Sequence, residues 1–135
     1  MIVIDASSLA KYLLREESWE SIENYLVKGV CSVDHVIKEV ANAIWRHVVV
    51  RKVIDAGAGL RVYSALKRLV SEGVVRIESQ LLYIDKAAEI AFSHGISLYD
   101  SLYIAQALKY GKLLTSDRKQ ADVAKLLGVE VYYVE

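Results

Sequence analysis

The chain has 135 residues, 54% of them hydrophobic and 25% charged, with 17 basic and 17 acidic side chains and a formal net charge of zero. This length sets one domain, and this hydrophobic content buries a full core and excludes a disordered chain. The neutral balance argues against strong non-specific nucleic-acid binding but leaves a local basic patch open.

The chain begins with a short apolar strand, Met1 to Ile4, that ends on Asp5. A brief β-branched run without alternation is the pattern of a strand buried on both faces. Ser7 to Leu14 reads as a short helix. Ser18 is placed to cap a second helix with Trp19, Ile22, Tyr25 and Leu26 as its apolar stripe, ended by Gly29. Val30 to Val33 is a strand. Asp34 is placed to cap a long helix in which Val36, Val40, Ile44 and Val48 recur every four residues. The end of that helix is open, because Val48, Val49 and Val50 are β-branched. Asp55 to Val70 reads as a helix whose start carries Gly57 and Gly59. Strand Val74 to Ile77 follows, then helix Leu81 to Ser93, stopped by His94 and Gly95. Ser97 to Tyr110 is helical and almost wholly apolar, hence central. Lys112 to Thr115 is a strand, Arg118 to Leu127 a helix, and Val129 to Val134 a last strand. Strands alternating with helices predict the α/β class, with a parallel sheet covered by helices on both faces.

Some functions are disfavoured at once. Cys31 is the only cysteine, so an internal disulfide and a cysteine-rich metal site are excluded, and its apolar neighbours suggest a core residue. His35, His47 and His94 have no paired ligand spacing and read as structural or solvated. No basic region precedes an apolar run at the N-terminus, and no apolar run approaches the roughly 20 residues of a membrane span. A soluble, cytoplasmic protein is expected.

Four carboxylates carry the chemistry. Asp5 and Asp117 each stand just past the end of an apolar strand, where open α/β sheets place their ligands. Glu39 lies beside the apolar stripe of its helix and shares a face with Asn42, Ala43 and Arg46. Asp100 is set among apolar residues near a helix start, so its charge needs a partner. Each has a plainer reading. Asp117 alone is more simply a helix cap, and Glu39 alone a solvated helix charge. Asp100 alone pairs as readily with a buried Lys or Arg. Together they point to a hard divalent cation, Mg²⁺ or Mn²⁺, which takes oxygen ligands and relieves the repulsion among the acids. Such a site performs phosphoryl transfer. Nothing suggests the aromatic cleft of a sugar-cleaving pair of acids.

In these residues the chain resembles the PIN domain family, and its VapC-type toxin branch in particular. The matching segments are Val3 to Ser7, Glu39 to Asn42, Leu98 to Ala105, Leu114 to Asp117 and Leu126 to Val129, in order across nearly the whole chain. The resemblance implies a three-layer fold with a central parallel sheet of about five strands. It implies an endoribonuclease dependent on Mg²⁺ or Mn²⁺, with Asp5, Glu39, Asp100 and Asp117 as catalytic and metal-site acids. Ser7 and Thr115 match small hydroxyl positions that support the site, and Asn42 matches an asparagine able to bond the carboxylates or substrate. Asp5 and Asp117 would be the main ligands, Asp100 the next, and Glu39 would act through a bound water. Asp122 reads as solvated. The resemblance further implies RNA as substrate, a VapB-like antitoxin as partner, and a homodimer. One departure is the segment Val33 to Lys38, which lacks the Ser/Thr-rich loop common in the family.

Arg46 suits an ion pair with a neighbouring acid more than an RNA contact. The basic residues Arg46, His47, Arg51 and Lys52, and again Arg61, Lys67 and Arg68, suit a wet helix face more than an RNA groove. Three other functions compete. A phosphatase of the haloacid dehalogenase type would need a second Asp where Ser7 stands. A binding module that kept only the fold would not need the acid quartet. An RNA maturation or decay nuclease would share every residue of the site. The spatial expectation is sharp: Asp5 and Asp117 on adjacent strands, facing one pocket.

Overall fold

Five parallel strands form one sheet in the order β3-β2-β1-β4-β5 in the computed structural model, which describes residues 1–135. The strands are β1 (Ile2–Ile4), β2 (Val30–Val33), β3 (Val75–Glu78), β4 (Lys112–Thr115) and β5 (Glu130–Tyr133). Seven α-helices connect them: α1 (Ala6–Leu13), α2 (Trp19–Lys28), α3 (His35–Trp45), α4 (Ala56–Ser71), α5 (Ile84–His94), α6 (Leu98–Tyr110) and α7 (Arg118–Leu126). The expected α/β class, five-stranded parallel sheet and three layers are all present.

Strand order dictates the layers. From β1 the chain steps outward to β2 and then β3, and the right-handed crossovers put α1 to α4 on one face. From β3 it returns across the sheet to β4 and then β5, the opposite sense, so α5, α6 and α7 cover the other face. The packing agrees: α1 packs on α2, α3 and α4, while α6 packs on α5 and α7. The reversal falls between β1 and β4, which pair in register Val3 with Leu113 and Ile4 with Leu114. Their carboxyl ends flank the crevice in which this kind of sheet binds ligands.

The core explains why β1 and β2 are unbroken apolar runs. Every residue of both strands is buried, as expected where helices cover each side. Helix α6 is almost wholly apolar for the same reason, with seven consecutive buried residues from Ser101 to Ala107. Cys31 is 1% exposed, and burial first of all pushes its thiol up to about 11, so it stays protonated within the core. Edge strand β3 ends on Glu78, whose Oε1 accepts from the Tyr83 hydroxyl at 2.6 Å and from Gln106 Nε2 at 2.9 Å. Burial works to raise the Glu78 pKa, but these hydrogen bonds outweigh it and hold the carboxyl below its ordinary value.

Several local expectations are corrected. Ser18 does not cap α2: it sits in the left-handed region at φ 70°, and its side chain makes no capping hydrogen bond. A capping residue needs extended backbone to aim its oxygen at the first turn. Asp34 already has helical geometry and caps nothing in α3; its carboxylate accepts instead from Gln80 N at 3.1 Å, joining two loops. The segment expected to open a helix at Leu81 is a separate 3₁₀ turn, Gln80–Leu82, nucleated by the Ser79 hydroxyl. The β-branched run after α3 becomes a π-helical turn, Arg46–Val50, closed by the Arg51 amide donating to the Arg46 carbonyl at 2.8 Å. Such turns bulge a helix by one residue and recur at functional sites. Gly59 explains how α4 fits against this bulge, since a Cβ there would lie 2.6 Å from Val48 Cγ2.

A candidate metal centre lined by four carboxylates

Asp5 leaves β1 and is 2% exposed. It caps α1, with Oδ1 accepting from the Ser8 amide at 3.0 Å. The Thr115 hydroxyl donates to Oδ2 at 2.6 Å, and the Ser7 hydroxyl lies 2.8 Å from both oxygens. Those two hydroxyls are aimed by the backbone. Ser7 Oγ accepts from the Ser116 amide at 2.9 Å, and Thr115 Oγ1 accepts from the Asp117 amide at 3.0 Å. With an N–H on the acceptor side, each O–H is left to face Asp5. The loop after β4 therefore fixes the carboxylate at the end of β1.

Asp117 both caps α7, accepting from Gln120 N at 3.0 Å, and reaches the same cavity. The plainer capping reading and the site reading thus hold together. Asp100 comes from the first turn of α6, which Ser97 caps by accepting from the Asp100 amide at 3.1 Å. Glu39 comes from α3 on the opposite face of the sheet. The cavity holds about 220 Å³, and its wall includes all four acids together with Ser7, Arg46, Tyr103 and Gln120. A larger cleft, about 840 Å³ around Met1, Lys28 and Tyr132, contains none of the acids.

No Lys, Arg or His forms an ion pair with Asp5, Asp100 or Asp117. The alternative reading of Asp100, an ion pair with a buried Lys or Arg, is not met, and Arg46 pairs with no acid, although it lines the cavity. Uncompensated burial shows in the acidities. Burial raises the Asp5 carboxyl to about 7 against its ordinary 3.8, with Asp117 adding to it and the bonds from Thr115, Ser8 and Ser7 opposing it. Asp100 is also raised, first by burial, then by Asp117 and Glu39. Four oxygen-donor acids, three of them with no ion-pair partner, fit the chemistry of a hard divalent cation. As they stand, no three of these acids are close enough together to hold an ion directly.

Two residues that the sequence reading missed complete the wall. Tyr103 is 1% exposed, and its hydroxyl donates to Glu39 Oε1 at 2.5 Å. Burial, then Glu39, pushes the phenol well above its ordinary range, so it remains a donor. Its place three residues after Asp100, on the same helical face, was the available signal. Gln120 is 1% exposed and donates from Nε2 to the Asp100 carbonyl at 3.2 Å, while its buried Oε1 has no partner. Its place three residues after Asp117 fits the capping-box spacing.

The remaining expectations divide. Ser7 and Thr115 touch Asp5 directly. Asn42 is exposed and does not line the cavity. Asp122 is exposed. His35 is buried with Nε2 at 3.4 Å from Glu39 Oε1, close enough for attraction but too poorly aligned for a hydrogen bond. A second cavity shares Ser7, Ala10, Ala43 and Arg46 with the first and adds Lys11, His47 and Arg51. Glu16 also lines it, 4.0 Å from His47, so a trough with a basic excess from Lys11, Arg46 and Arg51 opens from the acidic cavity. Lys11, from α1, was not part of the sequence expectation.

Comparison with known proteins agrees with this architecture. The PIN domain family model matches residues 2–126. The chain is 30% identical over 129 residues to Ribonuclease VapC3 of Pyrobaculum aerophilum, covering 90% of this chain and 92% of that protein. The crystal structure of PAE2754 from Pyrobaculum aerophilum superposes with a TM-score of 0.69 at 23% identity, covering 97% of this chain and 92% of that one.

Proposed function

The chain belongs to the PIN domain family, and from that premise we propose that it is a divalent-metal-dependent endoribonuclease of the VapC toxin type. The observation that carries this reading is the convergence of Asp5, Glu39, Asp100 and Asp117 on one cavity at the reversal point of the sheet. The ribonuclease relative supports RNA as the substrate.

Asp5, Asp117 and Asp100 would hold Mg²⁺ or Mn²⁺ in part through the waters such an ion retains, since no three of the acids are close enough to ligate it directly, with Glu39 at the outer edge. When bound, such a cation orients phosphate oxygens and lowers the pKa of a water. Ser7 and Thr115 aim the Asp5 carboxylate and favour its ionised form, in part offsetting the burial that raises its pKa. Tyr103 occupies one oxygen of Glu39 and leaves the other to accept a proton from the attacking water. Arg46, with Lys11 and Arg51 in the adjoining trough, binds the phosphates of the RNA backbone. Such positions would let a chain of zero net charge engage a polyanion locally.

A VapB-like antitoxin that covers the cavity, a homodimer and a cytoplasmic setting belong to the same proposal. Exposed Trp45, Val49, Val50 and Val53, beside Arg46, support a protein partner on that side. No helix is long and apolar enough to cross a membrane. The test is RNA cleavage with Mg²⁺ or Mn²⁺ and with chelator. The parent cleaves only with the cation, and Asp5→Asn and Asp100→Asn do not cleave. Cleavage by either variant at the parental rate would refute the reading.

A further inference from the structure

Tyr99 is 58% exposed, yet its ring is held in place. It stacks on the imidazole of His35, with centroids 4.7 Å apart and planes inclined by 23°. His35 is 8% exposed and stands one helical turn before Glu39, with the 3.4 Å approach to that carboxylate described above. Tyr99 immediately precedes Asp100. Both neighbours of the stack, Glu39 and Asp100, line the acidic cavity. The two rings therefore form a short column beside Glu39 and Asp100, just outside the cavity wall. One face of the tyrosine is covered by the imidazole, so the exposed area is its opposite face and edge.

An aromatic face backed by a buried ring is an unusual use of surface area. Neither the core nor the metal site requires it. What it suits is another flat π-system. Nucleobases in single strands stack on such rings with little regard to sequence, and single-stranded RNA is commonly read this way. The ring is already ordered by its stack, so little motion is lost on binding. A chain with no net charge also gains less from long-range attraction to RNA, and local contacts must supply more of its affinity.

We propose that Tyr99, backed by His35, is the stacking platform for a nucleobase flanking the scissile phosphate of single-stranded RNA. The choice of RNA rests on the nuclease reading given above. Tyr99 positions the strand, and the four acids act on the phosphate beside it.

The test uses the full chain and a short, unstructured, end-labelled RNA, intact or with one abasic nucleotide placed at each position in turn. Binding is read by fluorescence anisotropy with Ca²⁺, and cleavage by end mapping with Mn²⁺. For the intact RNA, Tyr99→Leu weakens binding roughly 5- to 150-fold, and Tyr99→Phe restores it. One abasic position beside the cut weakens parental binding by a similar factor, and there Tyr99→Leu adds no further loss. Equal binding by parent and Tyr99→Leu overturns the proposal and leaves the nuclease reading standing. So does a Tyr99→Leu loss that adds in full to the loss at every abasic position. If binding depends on the ring but no divalent cation yields cleavage, Tyr99 is a base-stacking site, while the nuclease reading and with it the placement beside a scissile phosphate are overturned. An absence of RNA binding by the parent overturns both.

Discussion

Replacing Asp5 with asparagine tests the electrostatics of the cavity without any substrate. The metal-free carboxyl titrates at about 7 in the folded chain, against 3.8 for the ordinary group. Between those values the folded state holds a proton that the unfolded state has lost. Stability therefore falls as pH rises through this window, and the loss is complete above the folded pKa. About three pH units at 1.36 kcal/mol each give a penalty of about 4 kcal/mol at pH 8. Asp100 is raised as well and acts with the same sign. Glu78 is lowered and acts in the opposite sense, but only below its ordinary 4.5, outside most of this window. In Asp5→Asn the buried charge disappears, while the amide no longer matches the donors of Ser7 and Thr115, a loss of about 1 kcal/mol. The variant should be more stable than the parent by about 3 kcal/mol at pH 8 and less stable by about 1 kcal/mol near pH 4, so the two curves cross. Urea unfolding in chelator at a series of pH values measures this. A parent as stable at pH 8 as at pH 5, or a variant with no gain at pH 8, would show that Asp5 does not carry an uncompensated buried charge.

Other outcomes follow from single contacts. Ser7→Ala and Thr115→Val each remove a hydroxyl from Asp5 and should weaken Mn²⁺ binding about 10- to 100-fold by calorimetry; unchanged affinity would mean that the hydroxyls do not tune the acid. Ser97→Ala uncaps α6 beneath Asp100 and should lower thermal stability by about 1 kcal/mol. Gly59→Ala drives a Cβ into Val48 and should destabilise by about 1–3 kcal/mol in chemical unfolding. Val48→Ala in the same chain should recover part of that loss, and no recovery would place the strain elsewhere. Arg46→Gln and Arg51→Gln should each lower the slope of log affinity for RNA against log salt by about 0.7, measured by titration.

The parts of this molecule that could be read from sequence are those where one residue type contradicts its surroundings. Asp5 and Asp117 end apolar strands, and Asp100 interrupts an apolar helix, so each was visible as a charge out of place. Tyr103 and Gln120 were not, because a tyrosine and a glutamine at a helix surface or in a core raise no local contradiction. Only the tertiary structure shows the Tyr103 hydroxyl aimed at Glu39. The fold class followed from alternating strands and helices. The capping roles given to Ser18 and Asp34 failed because side-chain identity does not fix backbone geometry: one residue is left-handed and the other already helical. The π turn was foreshadowed by three consecutive valines, but its packing depends on Gly59 in the next helix. The basic trough was only half legible, since Lys11 joins Arg46 and Arg51 through the contact of α1 with α3.

The pairing of β1 with β4 has a consequence for when the protein becomes itself during synthesis. Asp5 is made more than a hundred residues before the Thr115 hydroxyl that holds it and Asp117 beside it. Until β4 docks, the first strand has an open edge and its terminal acid has only Ser7 and the Ser8 amide. A nascent or nicked chain lacking the segment after α6 thus has no assembled cavity. The cavity and the pairing of β1 with β4 arrive in the same step, so a chain that stops short of β4 lacks the site on which the proposed activity depends.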